Sequence, residues 1–387
     1  MELHYDYIIV GAGCAGLGVA VRFSLDPFFK NKKILILEPE DKNKNNRTWS
    51  FWSREEKFYH GWAIKSWPKV IIKDDQQTIE TEAHPHNYYT IRGIDYYSKC
   101  KEQIVTSKNI TWKKELVSEV KNLAGFNHCI CESGNEYLGQ HIFDSRFPEK
   151  LKLDNSNFLW QHFKGWVIRS TSESFDEETA LLMDFSIDQK NETRFFYVLP
   201  FSKKEALIEI AIFSEEVLSS KDFDKLIKAY IQENYPNLTF EIIEEEYNKI
   251  PMTDHVFSQP DSKYHYYIGG ASGSVKSSSG YAFTRIQKQC EKIVHNCKEG
   301  KDIILESKDF APGKYELLDA TLLNVIVNER VSGKEIFMRL FAKNKASTIF
   351  DFLDEKSSIF QELKIMLSLP WIPFIKSFTE EIRKRLN

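Results

Sequence analysis

Residues 5–16 read YDYIIVGAGCAG, a short apolar, β-branched run that stops at Gly11 and gives way to three glycines at 11, 13 and 16. Such a run predicts a buried parallel strand. Ala15–Leu25 (AGLGVAVRFSL) has helical spacing and ends at Asp26-Pro27, where proline stops continuation. KKILILEPE follows, and its Ile34–Leu37 predict a second buried strand ending in Glu38. The three pieces make a βαβ unit.

The glycine triplet has a physical reading in that setting. Gly11 permits the tight turn, Gly13 lets backbone approach a pyrophosphate, and Gly16 allows close helix packing. With Cys14 and Ala15, the helix start supplies unpaired N–H groups and a positive dipole end to phosphates. Glu38, 22 residues beyond Gly16, is placed to accept hydrogen bonds from a ribose. The motif alone does not separate FAD from NAD, and its place within ten residues of Met1 favours the FAD-type arrangement. Two further elements suit a dinucleotide: Asp144-Ser145-Arg146 after a short strand, and Gly269-Gly270-Ala271-Ser272-Gly273 after YHYYI.

Outward from this unit, the stretch near 50–100 reads as an insertion of short strands, with a helix from Tyr96 to Ser107. Residues 158–250 contain the alternating runs WVIRS, ALLMDFSI, RFFYVLP and ALIEIAIF, which predict an antiparallel sheet with one buried face. The expected division is a Rossmann domain over 1–155, a substrate-binding β domain over 156–255, a return to the first domain over 256–300, and a helical region over 301–387.

Composition narrows the function classes. With 387 residues and a net charge of −4, the chain has no electrostatic footprint for nucleic acid. Its 28 Phe, 17 Tyr and 8 Trp suit either an apolar cavity or an aromatic-rich core. Six scattered cysteines and ten histidines have no metal-ligand spacing, so no metal is expected and the thiols are expected to be free. The opening lacks the features of a secretory signal and no long uncharged apolar stretch exists, so a cytoplasmic protein is expected. Leu363–Phe378 (LKIMLSLPWIPFIKSF), apolar with flanking lysines, is a candidate membrane-docking surface or a helix packed on the core.

Beyond the fingerprint, a series of tracts in order resembles the bacterial β-cyclases of the lycopene cyclase family. DYIIVGAGCAGLGVAVRF (6–23) resembles the family's opening, and RTWSFW (Arg47–Trp52) a tract after the first βαβ unit. DSR (Asp144–Arg146), QHFKGW (Gln161–Trp166) and Met183-Asp184-Phe185 are similar to later motifs. RFFYVLPFSKKEALIEIAIF (194–213), IPM (250–252) and GGASGSVKSSSGYAF (269–283) complete the series.

The resemblance implies an α/β fold: an FAD-binding, Rossmann-type (GR2-like flavoprotein) domain, an interleaved antiparallel-sheet substrate domain and a helical C-terminal part. It implies a non-redox isomerase (an intramolecular lyase) that turns lycopene through γ-carotene into β-carotene. Reduced FAD is the implied cofactor, NAD(P)H its reductant, and a membrane face the source of lycopene. Gly11, Gly13, Cys14, Ala15, Gly16, Glu38, Arg47, Asp144, Gly270 and Gly273 are the implied cofactor residues. Trp49, Phe51, Trp52 and Tyr281 are the implied substrate residues.

The chemistry demands a carboxyl kept neutral by apolar surroundings. Glu209, flanked by aliphatic residues on a strand and matching the family's acid, is the expected proton donor, with Asp184 as a second catalytic group. A strand glutamate facing solvent is the other reading of Glu209. The family motif usually carries a second acid directly after the glutamate and then threonine, where this chain has Ile210 and Ala211. That departure puts a two-carboxylate relay in doubt. An FAD-dependent monooxygenase or polyene reductase on an apolar isoprenoid is the alternative activity.

Overall fold

A computed structural model describes residues 4–123, 125–147, 153, 155–303 and 313–386. β1 (His4–Val10) runs into α1 (Cys14–Leu25) and returns as β2 (Ile34–Leu37), paired in parallel with Val10 opposite Leu37. Short strands follow: β3 (Thr48–Ser53), β4 (Lys65–Trp67), β5 (Lys69–Lys73), β6 (Thr78–Glu82) and β7 (Asn87–Arg92). α2 (Gly93–Ile104), β8 (Ile110–Lys113), β9 (Val117–Leu123), β10 (Phe126–Cys131) and β11 (Glu136–Asp144) complete the first part. Then come β12 (Phe158–Ser170), β13 (Thr179–Asp184), β14 (Thr193–Ser202), β15 (Glu205–Ser214), α3 (Ser220–Asn234) and β16 (Phe240–Thr253). β17 (His265–Tyr267) and α4 (Phe283–Glu299) return the chain to the first sheet.

That first sheet has the order β8-β2-β1-β11-β10-β9, with β17 also joined to β11. β8, β2, β1, β11 and β17 are parallel neighbours, whereas β10 pairs antiparallel with β9 and β11. The uninterrupted apolar run of β1 follows from burial of both faces. Tyr7 and Ile9 pack with residues of α1, α2 and α4, while Tyr5, Ile8 and Val10 pack with Leu35, Val117, Cys129 and Ile142.

The second sheet has the order β16-β12-β15-β14-β13-β5-β6. Strands from residues 158–253 pair antiparallel, as the alternation predicts, but β13 pairs in parallel with β5. The stretch near 50–100 therefore serves both halves. β5 and β6 extend the second sheet, while β3, β7 and β4 form a small sheet of their own.

Alternation assigns the faces of the second sheet. Ile208, Ile210 and Ile212 pack under α3 through Phe223, Ile227 and Ile231. Leu207, Ala211 and Phe213 face the other core, which is closed by α5 (Gly313–Val327), α6 (Gly333–Lys343) and α7 (Ala346–Leu353).

Two last helices, α8 (Ile359–Ser368) and α9 (Trp371–Leu386), are separated at Leu369-Pro370. The residue before a proline is driven out of the helical region, which explains the break inside the apolar tract. Their sidedness is inverted. Polar Glu362, Ser368, Ser377 and Glu381 are buried, whereas Phe360, Leu367, Trp371 and Ile372 are 65–85% exposed. Among the described residues, no helix is long and apolar enough to cross a membrane. Residues 304–312 of the expected helical region lie outside the described residues.

Candidate functional site

The β1–α1 loop has the backbone conformation that its glycines predict. Gly11 has φ +90, a left-handed conformation that favours glycine, and a Cβ at Gly16 would stand 2.0 Å from the Gly11 carbonyl oxygen. Nothing lies within 4 Å of where a Cβ at Gly13 would point, and no side chain caps the N-terminus of α1. The open space and the uncapped amides of Cys14 and Ala15 fit a pyrophosphate. Glu38 accepts from the Ala12 N–H at 2.6 Å and the Glu40 N–H at 3.0 Å, with Lys42 at 3.3 Å. Just past the end of β2, it thus braces the loop from beneath, and it does not line the cavity that Gly13 and Ala15 border.

A second loop closes over the first. Gly269, at φ +64, lies so near Ala15 that an added Cβ would be 2.8 Å from that side chain, and its N–H donates to Gln289 at 2.7 Å. Gly13, Cys14, Ala15, Arg47, Trp49 and Gly270 all border one large cavity, which extends to Tyr281 and to Glu209 on the second sheet.

The carboxylate face is assembled by register. Tyr197 on β14 stands opposite Glu209 on β15, Glu209 opposite Gly165 on β12, and Gly165 opposite Glu246 on β16. Directly opposed residues share a face, so the four form one row across four strands. Because Gly165 has no side chain, the two glutamates lean toward each other over it. A Cβ there would meet Leu207 Cδ1 at 2.8 Å and Glu209 Oε2 at 3.1 Å.

Burial raises the Glu209 carboxyl well above its usual range, and the Glu246 charge and hydrogen bond raise it further. Glu246 is also raised, by burial first, while the hydrogen bonds from Glu209 and Thr48 and the charge of Arg47 work against the rise. Thr48 Oγ1 donates to Glu246 Oε2 at 2.9 Å, whereas Glu246 Oε1 meets no hydrogen-bond donor among the described residues.

Three phenols surround the acid. Tyr88 and Tyr281 hydroxyls lie 3.3 Å apart, Tyr281 also bonds Tyr197, and burial raises all three. They offer O–H groups without competing charge. A second, strongly apolar cavity continues from Tyr197 and Tyr281 past Trp52, Phe195 and Phe350 toward Met366 and Phe374 near α8 and α9.

Several expected residues sit elsewhere. Asp184 is paired across the sheet with Phe196, on the α3 side rather than the Glu209 side, and its carboxylate meets Lys73 at 3.0 Å and the Tyr230 hydroxyl at 2.7 Å. It is a buried anchor of the sheet, not a neighbour of Glu209. Asp144 spends its oxygens on Arg146 and His265, and Ser145 faces the loop instead. Gly273 turns toward Phe257, away from the cavity. Phe51 stacks on Phe283 at 4.7 Å inside the nucleotide-side core. Trp52 stacks on Phe350 at 4.8 Å and meets Tyr281 edge-on at 4.6 Å, so it borders the second cavity. Trp49 borders the first, edge-on to Tyr96.

Sequence reading missed Glu246, Gly165, Tyr88 and Tyr197. Glu246 lies in an acidic run, Glu244–Glu246, that resembles a solvated edge. Only its alternation with Arg92-paired Glu244 and exposed Glu245 marks it, and no local signal pairs it with Glu209.

Comparison with known proteins agrees with this architecture. A geranylgeranyl bacteriochlorophyll reductase-like protein from Thermoplasma acidophilum superposes with a TM-score of 0.62 at 14% identity, covering 98% of this chain and 100% of that one. Capsanthin/capsorubin synthase of Citrus sinensis is 25% identical over 73% of this chain and 58% of its own length. Lycopene beta-cyclase of Pantoea ananas is 25% identical over 54% of this chain and 52% of its own length. The chain thus spans just over half the length of these curated relatives. The lycopene cyclase protein model matches residues 6–379, so nearly the whole chain, glycine loop and glutamate row alike, belongs to the lycopene cyclase family.

Proposed function

We propose that the chain is a lycopene β-cyclase, converting lycopene through γ-carotene to β-carotene. The observation that supports this most is Glu209: a carboxyl that burial pushes toward its protonated form, bordering the same cavity as the glycine loop. Protonation of a terminal alkene needs a neutral acid and no competing water. Glu209 donates its proton to the terminal double bond, the resulting tertiary cation is attacked by the neighbouring alkene, and loss of a ring proton leaves the β-ionone ring. Product and substrate are isomers.

The cofactor in this reading is FAD in its reduced form, with NAD(P)H as upstream reductant. Gly11, Gly13, Cys14, Ala15, Gly16, Glu38, Arg47 and Gly270 would hold it. When bound, it would supply an electron-rich ring able to stabilise positive charge on the substrate. Trp49 adds a ring face on the cavity wall, where cation–π attraction contributes about 0.5–2 kcal/mol. Tyr88, Tyr197 and Tyr281 orient the acid, and Trp52 with Phe350 walls the channel for the unreacted polyene arm.

Lycopene resides in bilayers, so the substrate enters from a membrane face. The second cavity is lined by Met366 and Phe374 of α8 and α9, and in this reading the apolar outer side of the same two helices forms the docking surface. Liposome co-sedimentation is expected for the native chain and to fall at least about tenfold for Leu367→Glu/Trp371→Glu; equal binding by both removes the docking idea.

Expression in a lycopene-accumulating host, followed by chromatography and mass measurement of the pigment, tests the activity. A bicyclic isomer of lycopene is expected, and none from Glu209→Gln. A product heavier by oxygen or by hydrogen instead assigns the monooxygenase or reductase chemistry.

A further inference from the structure

We infer that Glu246 is the positioning partner of Glu209: the two carboxyls share one proton across the gap left by Gly165, and that pair both delivers the proton and takes it back. The reaction assigned to the pair rests on the cyclase reading; the pair itself does not.

The geometry is specific. Strands two apart are roughly 9.6 Å from one another, twice the interstrand spacing, so glutamates on β15 and β16 meet only if the strand between them carries no side chain there. Gly165 is that position, opposite both. Glu209 Oε2 lies over it, 3.1 Å from where a Cβ would be, leaning toward β16. Glu246 is 4% exposed, its Oε2 is held by the Thr48 hydroxyl, and its Oε1 is left for Glu209. Asymmetric support decides where the proton rests. Burial and the charge of Glu244 raise Glu246, while the hydroxyl of Thr48 and the charge of Arg47 favour its ionised form; every influence on Glu209, which borders the cavity, favours its protonated form, so the shared proton rests nearer Glu209.

The other charged or titratable groups facing the pair are Tyr88, Tyr197 and Tyr281 around Glu209, Glu244 beside Glu246, and Lys249 on the cavity wall. The phenols are neutral, and Glu244 is neutralised by Arg92 at 2.9 Å.

The proton balance is closed. The Glu209 O–H bond breaks as a C–H bond forms on the terminal alkene, and positive charge moves to the substrate. A C–C bond then closes the ring. The pair now holds two adjacent carboxylates, a like-charge arrangement that disfavours both remaining ionised. It recovers a proton as the ring C–H breaks, leaving the carbon–carbon double bond, and no oxidant or reductant is consumed.

Infrared titration of the 387-residue chain reads the protonated carboxyl directly, and the pH profile of kcat reads its use. Glu209 is competent while protonated, so activity falls as pH rises through its folded value, which lies above the model-peptide value of about 4.3. Removing the neighbouring charge in Glu246→Gln lowers that value: the pH at which the carboxyl band is lost and the alkaline limb of kcat both move down by about one pH unit or more. Thr48→Val, close in shape, withdraws the support of the charged partner and should move both upward by about half a unit. Opposite shifts from two neighbouring substitutions are not produced by loss of packing. An unchanged band and limb in Glu246→Gln overturns the pair; so does a downward shift in Thr48→Val. If the chain cyclises nothing, the infrared titrations still test the shared proton. If it cyclises with unchanged titrations, the cyclase reading stands and the pair falls.

Discussion

The glycine loop and the glutamate row open onto the same cavity but are encoded in opposite ways. Gly11, Gly13, Gly16 and Glu38 lie within 28 residues of one another, and each acts through backbone it directly shapes. The row of Tyr197, Glu209, Gly165 and Glu246 draws on four strands, and its chemistry appears only when register aligns them. A local motif tolerates errors elsewhere in the fold. A cross-strand site depends on every register being right, because a slip of one residue sends each side chain to the other face.

The largest expected effect is at the row. Glu209→Gln should lower kcat about 10³-fold in pigment-forming assays while bound flavin absorbance stays unchanged; retained activity would dismantle the contrast between the two regions. Next is the link between them. Lys276 is buried between Asp319 at 2.7 Å and Glu355 at 3.2 Å and pins the 269–280 loop to the helical region. Lys276→Ala leaves buried Asp319 without its counter-charge, while Glu355 keeps Arg285 at 3.1 Å, and urea unfolding should register a loss of about 3 kcal/mol.

At the loop, Gly16→Val drives a side chain into the Gly11 carbonyl. Overpacking there should cost about 1–3 kcal/mol and release bound flavin on gel filtration. The smallest effect sharpens the contrast from the other side. Asp184→Asn weakens the contacts to Lys73 and Tyr230 and should cost about 1–2 kcal/mol of stability, with kcat changed by no more than about twofold. A large loss of kcat would return Asp184 to the catalytic set.

These contrasts define what was legible in the chain. The βαβ unit and the alternating sheet strands could be read because period and glycine spacing are local signals, whereas Glu209 stands out by its aliphatic flanks and by the family resemblance, and it borders the cavity. The replacement of a usual acid by Ile210 looked like the loss of a second carboxylate. In the sheet, Ile210 points under α3, so a carboxylate there would be on the wrong face to help Glu209. The second acid comes from Glu246, 37 residues on, through a gap at Gly165 that no window of sequence connects. Asp144 and Asp184 were read as functional from their motif positions, but partners distant in sequence, His265 and Tyr230, claim them for the scaffold.

The inverted helices α8 and α9 have a consequence at the bench. Their inward sides are fixed by polar contacts: Glu381 accepts from Asn157 and Asn324, and Glu362 from the Tyr315 hydroxyl. Neither helix can roll over to hide its outward leucines and aromatics without stranding a carboxylate. In detergent-free buffer those residues face water, so particle size should grow with protein concentration and shrink when detergent is added.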